Sequence, residues 1–325
     1  MKEKYLIFHQ GALGDFVLTF PALVRLKERA TIDVCCQKHL GQLALSLGIA
    51  DHFFPSESRR FASLFSDDID PELRKFVANY NMIFLISFSS ELENNIREIT
   101  NVKVHRIPPR PPPQEQVHIA EYLLKHLDKI VPFKMTTPSL ADLSLTIPKY
   151  YDSSGKVLLH PGSGSRRKNW PLENFIRLNI LLKKRGMFTT WVLGPAEHFM
   201  VNELKKRGLG DKEVHLIHDL LNFLDLLKHA AGFIGNDSGL SHLSAFLGIP
   251  VISIFGPSDP KRWRPIGPLA RVVRSEIDCQ PCFETENANC ESSECLYSIL
   301  PERVDAEIDS KFEYTSINRQ FVILS

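Results

Sequence analysis

Short apolar runs alternate with helix-like segments along almost the whole chain. Such an alternation is typical of β-α-β units built on a parallel sheet. In the first half of the chain, apolar runs predict strands at residues 5–9, 31–36, 82–88 and 101–107. Apolar residues at helical spacing predict helices at residues 16–29 and 115–129.

A proline-rich run at residues 108–113 interrupts the pattern between a predicted strand and the next helix. Proline has no N–H to give to a helix or a ladder, so we expect an extended surface loop there. Two interpretations stay open for this loop. It is either a stiff connector or a functional loop in which Arg110 faces an anion.

A turn-rich segment at residues 147–155 has the composition in which domain boundaries fall. After it the β-α rhythm resumes, with strands predicted at residues 156–160, 188–193, 214–217, 232–235 and 251–255. We therefore predict an α/β protein with two doubly wound domains, residues 1–150 and 151–325. Open α/β sheets bind ligands at the carboxyl ends of their strands. Two such domains in tandem predict a ligand cleft between them.

Charge and hydropathy exclude several classes of protein. The chain has 39 Lys and Arg against 38 Asp and Glu, a net charge of +1. A general nucleic-acid binder would carry a large positive excess, so we expect no nucleic-acid partner. The longest apolar stretch, near residues 245–255, is shorter than the roughly 18 residues of a membrane span. The N-terminus has no secretory h-region, and we expect a cytoplasmic protein.

Polar residues concentrate in three loops that each follow a predicted strand and precede a predicted helix. In the first loop, two glycines at positions 11 and 14 precede Asp15. Asp15 is interpreted either as the N-cap of the helix or as a general base for an incoming hydroxyl. The two interpretations are compatible.

The second loop combines small residues with cations. Its sequence runs from Ser163, Gly164 and Ser165 into three consecutive cations, the last of which is Lys168. Flexible residues followed by cations favour binding of a pyrophosphate. The alternative is a solvated charge run.

The third loop enters a predicted helix through Asp237, Ser238 and Gly239, with His242 in the first turn. Backbone N–H groups at a helix N-terminus form a ready site for phosphate. The alternative makes Asp237 or Ser238 an ordinary N-cap and His242 a packed histidine.

Taken together, these motifs resemble those of glycosyltransferase family 9, which contains the ADP-heptose:lipopolysaccharide heptosyltransferases. The resemblance runs from about residue 4 to about residue 305 and rests on five segments, Gly11-Ala-Leu-Gly-Asp15-Phe, His160-Pro-Gly-Ser-Gly-Ser, Lys168-Asn-Trp-Pro171, Gly235-Asn-Asp-Ser-Gly-Leu-Ser-His-Leu243 and Phe255-Gly-Pro-Ser-Asp-Pro260.

The resemblance implies a fold of the GT-B type, in which two Rossmann-like domains face each other across a cleft. It places the acceptor on the N-terminal domain and the nucleotide sugar on the C-terminal domain. It also implies an inverting transfer of heptose from ADP-heptose to a lipopolysaccharide core acceptor, with no cofactor required for catalysis. A lipid-linked acceptor further implies peripheral contact with the cytoplasmic face of the inner membrane.

The resemblance also implies roles for single residues. Asp15 matches the catalytic base, Lys168 the phosphate-binding lysine and Glu197 a carboxylate for the nucleoside ribose. The residues that match donor-binding segments are Ser163, Gly164, Ser165, Asp237, Ser238, Gly239 and His242. Gly14 is expected on the acceptor side, beside the base.

Four arginines in the first half could meet an acidic saccharide acceptor. They are Arg59, Arg60, Arg106 and Arg110. Since arginine is mostly exposed in proteins, the alternative for each is an ordinary surface residue.

Four of the six cysteines cluster late in the chain, at Cys279, Cys282, Cys290 and Cys295. They could bind a structural zinc or form disulfides. The alternative is free thiols, as the redox potential of the cytosol favours. Cys35 and Cys36 lie in an apolar strand pattern and are expected in the core.

Other function classes are carried beside the transferase. A transferase of the same family with another nucleotide sugar or acceptor is the nearest alternative. A nucleotide-dependent epimerase or oxidoreductase is less favoured, because neither half has a complete Gly-x-Gly-x-x-Gly fingerprint with its acidic partner. A non-catalytic sugar-nucleotide binding protein is also less favoured, because Asp15 is present.

Overall fold

The computed structural model describes residues 2–66, 68–133, 155–210, 212–284, 290 and 292–308. The chain divides into two compact units, the first containing Met1–Leu140 and Asp219–Leu221, the second Ala141–His218 and Asn222–Ser325. The boundary predicted near residue 150 and most of the turn-rich segment around it lie outside the described residues.

The first unit is a parallel sheet with helices in its connections. Its elements are β1 (Glu3–His9), α1 (Leu13–Lys27), β2 (Ala30–Cys36), α2 (Lys38–Ser46), β3 (His52–Pro55), α3 (Arg59–Ala62), α4 (Pro71–Val77), β4 (Met82–Ile86), α5 (Ser90–Ile99), β5 (Lys103–Ile107) and α6 (Ile119–Ile130). The strand order is β3-β2-β1-β4-β5, and every pairing is parallel.

Continuous apolar runs form the centre of this sheet. Leu6 and Ile7 of β1, with Ile83 and Phe84 of β4, are fully buried. A strand buried on both faces reads as an unbroken apolar run, which is why these two strands were visible in the sequence. The short edge strand β3 is only half-buried and was not predicted.

One carboxylate is buried in the first sheet. Asp33 of β2 has no exposed surface. Tyr80 Oη donates to its Oδ2 at 2.7 Å, Lys4 Nζ lies 3.0 Å from the same oxygen, and His52 Nδ1 lies 2.9 Å from Oδ1. Burial raises the pKa of Tyr80 well above its ordinary value, and the hydrogen bond to Asp33 raises it further. Asp33 therefore ties together three chain segments by charge and hydrogen bonds.

The second unit repeats the architecture with one more strand. From residue 156 onward the elements are β6 (Lys156–His160), α7 (Leu172–Lys184), β7 (Thr189–Leu193), α8 (Met200–Lys206), β8 (Val214–Leu216), α9 (Leu220–Leu227), β9 (Ala230–Asn236), α10 (Gly239–Phe246), β10 (Val251–Phe255), α11 (Pro260–Trp263), β11 (Ala270–Arg274), α12 (Glu294–Tyr297) and α13 (Pro301–Ala306). The sheet order is β8-β7-β6-β9-β10-β11, again all parallel.

Both strand orders are those of Rossmann-like sheets, in which the chain starts at the centre, builds to one edge and then returns to build to the other. The predicted fold class, α/β with two Rossmann-like doubly wound domains, is confirmed. The order reverses between β1 and β4 in the first sheet and between β6 and β9 in the second. All three motif loops leave strands at these two reversal points.

One predicted strand end needs correction. The strand predicted to reach residue 88 ends at Ile86, because Ser89 begins the cap of α5 by accepting a hydrogen bond from Leu92 N at 3.0 Å. The proline-rich run 108–113 is outside any helix or strand, as predicted.

Among the described helices, none has the length and apolarity that crossing a membrane requires.

Candidate functional sites

The loop between β1 and α1 carries Asp15. Helix α1 begins at Leu13, and its N-cap is Ala12, which makes no side-chain cap hydrogen bond. The N-cap interpretation of Asp15 is therefore wrong, since Asp15 and Gly14 both lie inside the first turn. A carboxylate in the first turn still gains from the positive end of the helix dipole.

Crowding explains the glycine at position 11. A Cβ built on Gly11 would lie 2.8 Å from Asp15 Cβ and 3.2 Å from Asp15 Oδ2. The Asp15 side chain thus packs directly over the loop backbone, which a larger residue would displace. The structure places this half-buried carboxylate at the carboxyl end of the central strand β1.

His9, the last residue of β1, contacts this loop from the interior of the unit. Its ring is 1% exposed and packs on Phe16 with the ring centroids 4.9 Å apart. Gly11 N donates to His9 Nδ1 at 3.2 Å. Burial lowers the pKa of His9 to about 4, an effect that the Asp15 backbone partly offsets. His9 is therefore neutral at neutral pH and shapes the turn before Asp15, a role that sequence reasoning missed.

The loops after β1 and β4 are joined by a hydrogen bond. Ser87 Oγ donates to Gln10 Oε1 at 2.5 Å and accepts from Ser89 N at 3.0 Å. These residues are adjacent only because β1 and β4 are neighbours in the sheet. The sequence contains no local signal for this contact.

The structure separates the four arginines. Arg110 lies beyond β5 with its guanidinium carbon 5.5 Å from the ring centroid of Phe88, whereas exposed Arg59 and Arg60 lie in α3, beyond β3. Four strand spacings, or about 19 Å, separate β3 from β5. Arg106 is engaged by Glu93, whose Oε2 lies 2.7 Å from its Nε. The four do not form one cluster, and their acceptor role stays a prediction.

In the second unit, the side chain of Asn236 joins the second and third motif loops by hydrogen bonds. Its side chain has no exposed surface. Nδ2 donates to the carbonyl oxygens of Pro161 and Gly162 at 2.8 and 3.1 Å, while Oδ1 accepts from Trp170 N at 2.9 Å. An amide at the end of β9 therefore fixes both ends of the loop that follows β6. This residue was not singled out in the sequence.

These hydrogen bonds of Asn236 hold Lys168 at the start of α10. Its Nζ lies 3.1 Å from Asp237 Oδ2, and His242 Nε2 lies 3.4 Å from Asp237 Oδ1. Asp237 is 3% exposed. Burial by itself raises the pKa of Asp237, but the hydrogen bond to His242 and the charge of Lys168 outweigh it and lower the pKa to about 2. The three side chains form a compact charged group at the reversal point between β6 and β9.

The N-terminus of α10 lies beside this group. Ser238 is the N-cap, and its Oγ accepts from Ser241 N at 3.3 Å, so the N-cap interpretation of Ser238 is correct. Helix geometry leaves the N–H groups of Gly239 and Leu240 without intrahelical acceptors. Such N–H groups, with the helix dipole, favour an anion. Within the described part of the chain, the buried His242 Nδ1 has no hydrogen-bond partner.

The small residues of the second loop have different roles. Ser163 Oγ lies 2.6 Å from Ser165 O and accepts from Ser165 N at 3.2 Å, so it holds the turn. Gly164 is exposed, and a Cβ there would meet open space. Of the three cations, Arg166 and Arg167 are exposed and Lys168 is half-buried. The solvated interpretation therefore fits the two arginines, and the anion-binding one fits Lys168.

Glu197 lies against the same loop. It is 6% exposed, and its Oε2 accepts from Gly194 N at 2.9 Å. A Cβ on Gly162 would lie 2.2 Å from Glu197 Cδ. The structure thus brings Glu197 to the loop that carries Lys168. Its contact with a ribose stays a prediction.

The clustered cysteines are free thiols in the described residues, as are the buried Cys35 and Cys36 predicted for the core. Burial raises the pKa of Cys295, and the thiols of Cys279, Cys290 and Cys282 raise it further. No group of three or more His, Cys, Asp or Glu in the described part of the chain could hold a metal ion. The structure gives no support to the predicted zinc or disulfides.

Comparisons with known proteins agree with the motifs. Lipooligosaccharide heptosyltransferase 2 of Campylobacter jejuni is 24% identical over 314 residues, which is 91% of this chain and 95% of that protein. A family 9 glycosyl transferase from Veillonella parvula has a similar structure, with a TM-score of 0.75, 16% identity and coverage of 96% of this chain and 98% of that one. For E. coli heptosyltransferase WaaC with ADP, the TM-score is 0.70 at 18% identity, covering 95% and 99%.

These structures show that the fold is of the GT-B type. The family model described as glycosyltransferase family 9 (heptosyltransferase) matches residues 114–292. The match extends over more than half of the chain and includes the second and third motif loops with Lys168 and Asp237. The resemblance seen in the motifs is thereby confirmed, and the chain is an enzyme that belongs to glycosyltransferase family 9.

Proposed function

We propose that this glycosyltransferase moves a heptose from ADP-heptose to a lipopolysaccharide core acceptor. The observation that carries the proposal is the position of Lys168, 3.1 Å from Asp237 at the N-terminus of α10. The names of the relatives support the choice of sugar and acceptor, since they are heptosyltransferases of lipooligosaccharide and lipopolysaccharide.

On the donor side, Lys168 and the N–H groups of Gly239 and Leu240 meet the diphosphate. Negative charge grows on the departing ADP as the bond from the anomeric carbon to the phosphate oxygen breaks. A preorganised donor aimed at such a charge lowers the barrier by about 3 kcal/mol. Glu197, beside the same loop, accepts a hydrogen bond from a ribose hydroxyl.

On the acceptor side, Asp15 takes the proton of the attacking hydroxyl. The hydroxyl oxygen then bonds to the anomeric carbon from the face opposite ADP, which inverts the configuration. Asp15 lies in the first turn of α1, where the positive end of the helix dipole favours a carboxylate. No cofactor takes part in this scheme, as the family resemblance implies.

The domain roles follow from this division of chemistry. Residues 1–150 bind the acceptor, with Gly14 beside Asp15 and Arg110 near the end of β4, whereas residues 151–325 bind the nucleotide sugar. We expect the enzyme in the cytoplasm, and a lipid-linked acceptor implies peripheral contact with the inner membrane. Co-sedimentation with vesicles that contain the acceptor at low salt tests that contact, and failure to sediment contradicts it.

The proposal is tested by separating donor binding from turnover. Wild-type protein and the Asp15→Asn variant are titrated calorimetrically with ADP-heptose and with UDP- and GDP-sugars. Release of ADP is then measured on extracted lipopolysaccharide core. We expect both proteins to bind ADP-heptose with affinities within about twofold, while the loss of the base slows ADP release by about 10²- to 10⁴-fold.

Glu72→Gln is the matched control, because Glu72 is also a first-turn carboxylate, in α4. It is expected to leave ADP release unchanged. Binding of a UDP- or GDP-sugar in place of ADP-heptose contradicts the assignment of ADP-heptose as the donor. Donor binding without turnover by the wild type indicates a sugar-nucleotide binding protein instead of an enzyme with this acceptor. Undiminished turnover by Asp15→Asn contradicts the base assignment.

A further inference from the structure

A short segment that begins at Cys282 of the cysteine cluster lies over the cations of the second loop. This segment, residues 282–284, is called the strap. Cys282 N and Phe283 N both donate to Pro257 O, at 2.9 and 3.0 Å. Pro257 belongs to the turn that follows β10, the strand beside β9. The backbone of the strap is therefore anchored at the carboxyl ends of the strands, as Asp237 is.

The third residue of the strap is anchored by its side chain. Arg262 Nε donates to Glu284 Oε2 at 2.8 Å, and Trp263 Nε1 donates to the same oxygen at 2.9 Å. Arg262 is 1% exposed. A charge-assisted fork of this kind holds a loop more firmly than neutral hydrogen bonds do. Phe283 is thus held between two anchors, one on each side.

The ring of Phe283 faces two cations of the second loop. Its centroid lies 5.0 Å from Lys168 Nζ and 5.8 Å from Arg167 Cζ. Both distances are within the roughly 6 Å over which an aromatic face attracts a cation. Arg167 also touches the strap through Cys282, with its Nη2 3.8 Å from Sγ. Lys168 therefore has two neighbours from elsewhere in the chain, the carboxylate of Asp237 and the ring of Phe283.

We propose that Phe283 is a positioning residue for the diphosphate of the donor, acting through Lys168. This inference rests on the proposed function, in which Lys168 binds the diphosphate. An aromatic face attracts the ammonium group but accepts no strong hydrogen bond from it, so its N–H donors stay available to phosphate. Lysine loses rotamer freedom when it binds. The ring restricts Lys168 before the donor arrives and so strengthens binding of the diphosphate.

The test measures binding of ADP and of inorganic pyrophosphate by calorimetry to wild type, Phe283→Leu and Phe283→Tyr. Leucine keeps an apolar side chain and removes the aromatic face. We expect Phe283→Leu to weaken both ligands by about 3- to 10-fold, the range that cation–π energies imply. Phe283→Tyr keeps the face and is expected to bind both within about twofold of wild type.

Phe188→Leu is the control, since Phe188 is 73% exposed in the same unit and precedes β7. It should leave both affinities unchanged. Tryptophan fluorescence verifies that each variant is folded, and Phe283→Met replaces Phe283→Leu if the latter is not. A loss confined to ADP overturns the proposal, because it means that the ring contacts the base and not the cation at the phosphates.

A double-mutant cycle with Lys168→Ala separates this inference from the proposed function. If Phe283 acts through Lys168, Phe283→Leu changes the affinities by less than about twofold once Lys168 is alanine. Fully additive effects overturn the positioning role. If Lys168→Ala weakens binding and Phe283→Leu leaves it unchanged, only the proposed role of Phe283 is overturned, and the donor site stands. Unchanged binding by Lys168→Ala overturns the donor site itself.

Discussion

Replacing Asp237 by asparagine removes one charge from the buried group that connects Lys168 and His242. The substitution keeps the size of the side chain, so the effect reports charge and hydrogen bonding more than packing. Asp237 is 3% exposed, with Lys168 Nζ at 3.1 Å and His242 Nε2 at 3.4 Å. A pair this well buried is screened little by salt.

The size of the effect follows from the pKa of Asp237. The pKa falls from the ordinary aspartate value of 3.8 to about 2. Each pKa unit corresponds to about 1.4 kcal/mol of preference for the charged form, so the shift stabilises the folded state by roughly 2–3 kcal/mol. Asp237→Asn is expected to lower the free energy of unfolding at pH 7 by about that amount.

The pH dependence has a definite sign. An aspartate whose pKa is lower in the folded than in the unfolded chain binds protons more readily when unfolded. Its contribution is therefore fully present above pH 4 and is lost as the pH falls towards about 2. The difference between wild type and Asp237→Asn should be smaller at pH 3 than at pH 5 and should continue to shrink towards pH 2.

Urea unfolding followed by tryptophan fluorescence measures this difference. The three tryptophans, Trp170, Trp191 and Trp263, all belong to the second unit, so the signal reports the unit that contains Asp237. Asp225→Asn is the control, because Asp225 is 70% exposed and pairs with Lys228 across one helical turn. An exposed pair of this kind contributes at most about 0.5 kcal/mol.

Two results would contradict this role of the Asp237 charge. One is a loss of less than about 0.5 kcal/mol at pH 7, which would mean that desolvation of the carboxylate cancels its attractions. The other is a loss that stays constant down to pH 3, which would mean that the effect does not come from ionisation of Asp237.

Two further substitutions test contacts outside this group. Gly162→Ala would place a Cβ 2.2 Å from Glu197 Cδ and is expected to cost about 1–3 kcal/mol, whereas Gly164→Ala meets no atom within 4 Å; thermal unfolding of the pair measures the difference, and equal stabilities would contradict the packing. Tyr80→Phe removes the hydroxyl that donates to buried Asp33 at 2.7 Å. It is expected to lower the free energy of unfolding by about 1.5–3 kcal/mol in urea titrations, and a neutral effect would show that Asp33 is satisfied without it.

Local patterns in the sequence determined the β-α rhythm and the three loops. A strand buried on both faces must be apolar throughout, and a glycine-containing turn must follow it if the backbone is to enter a helix at once. These requirements act over a few neighbouring residues. Asp15, Lys168 and Ser238 could therefore be found by reading the chain. Edge strands such as β3 and β11 are partly exposed, which weakens the same pattern, and they were missed.

Contacts between distant segments depended on the order of strands in the sheet. Asn236 reaches the loop after β6 only because β9 pairs with β6. The same pairing selects Lys168 from three consecutive cations and brings it to Asp237, 69 positions later. Strand order is a long-range property. Charge alone does not distinguish Lys168 from Arg166 and Arg167, and in the sequence only the resemblance of Lys168-Asn-Trp-Pro171 to a family motif singled it out.

The fold class, the family and the loops in which the chemistry lies could all be predicted from the sequence, because hydrophobic periodicity and motif spacing are local. Which side chains meet depends on how the chain folds. The tertiary structure placed Glu197 against Gly162, separated Arg110 from Arg59, and set Phe283 over Lys168. The physical reason is that each of these contacts joins segments far apart in the chain, and parallel strand pairing together with anchored turns determines their distance.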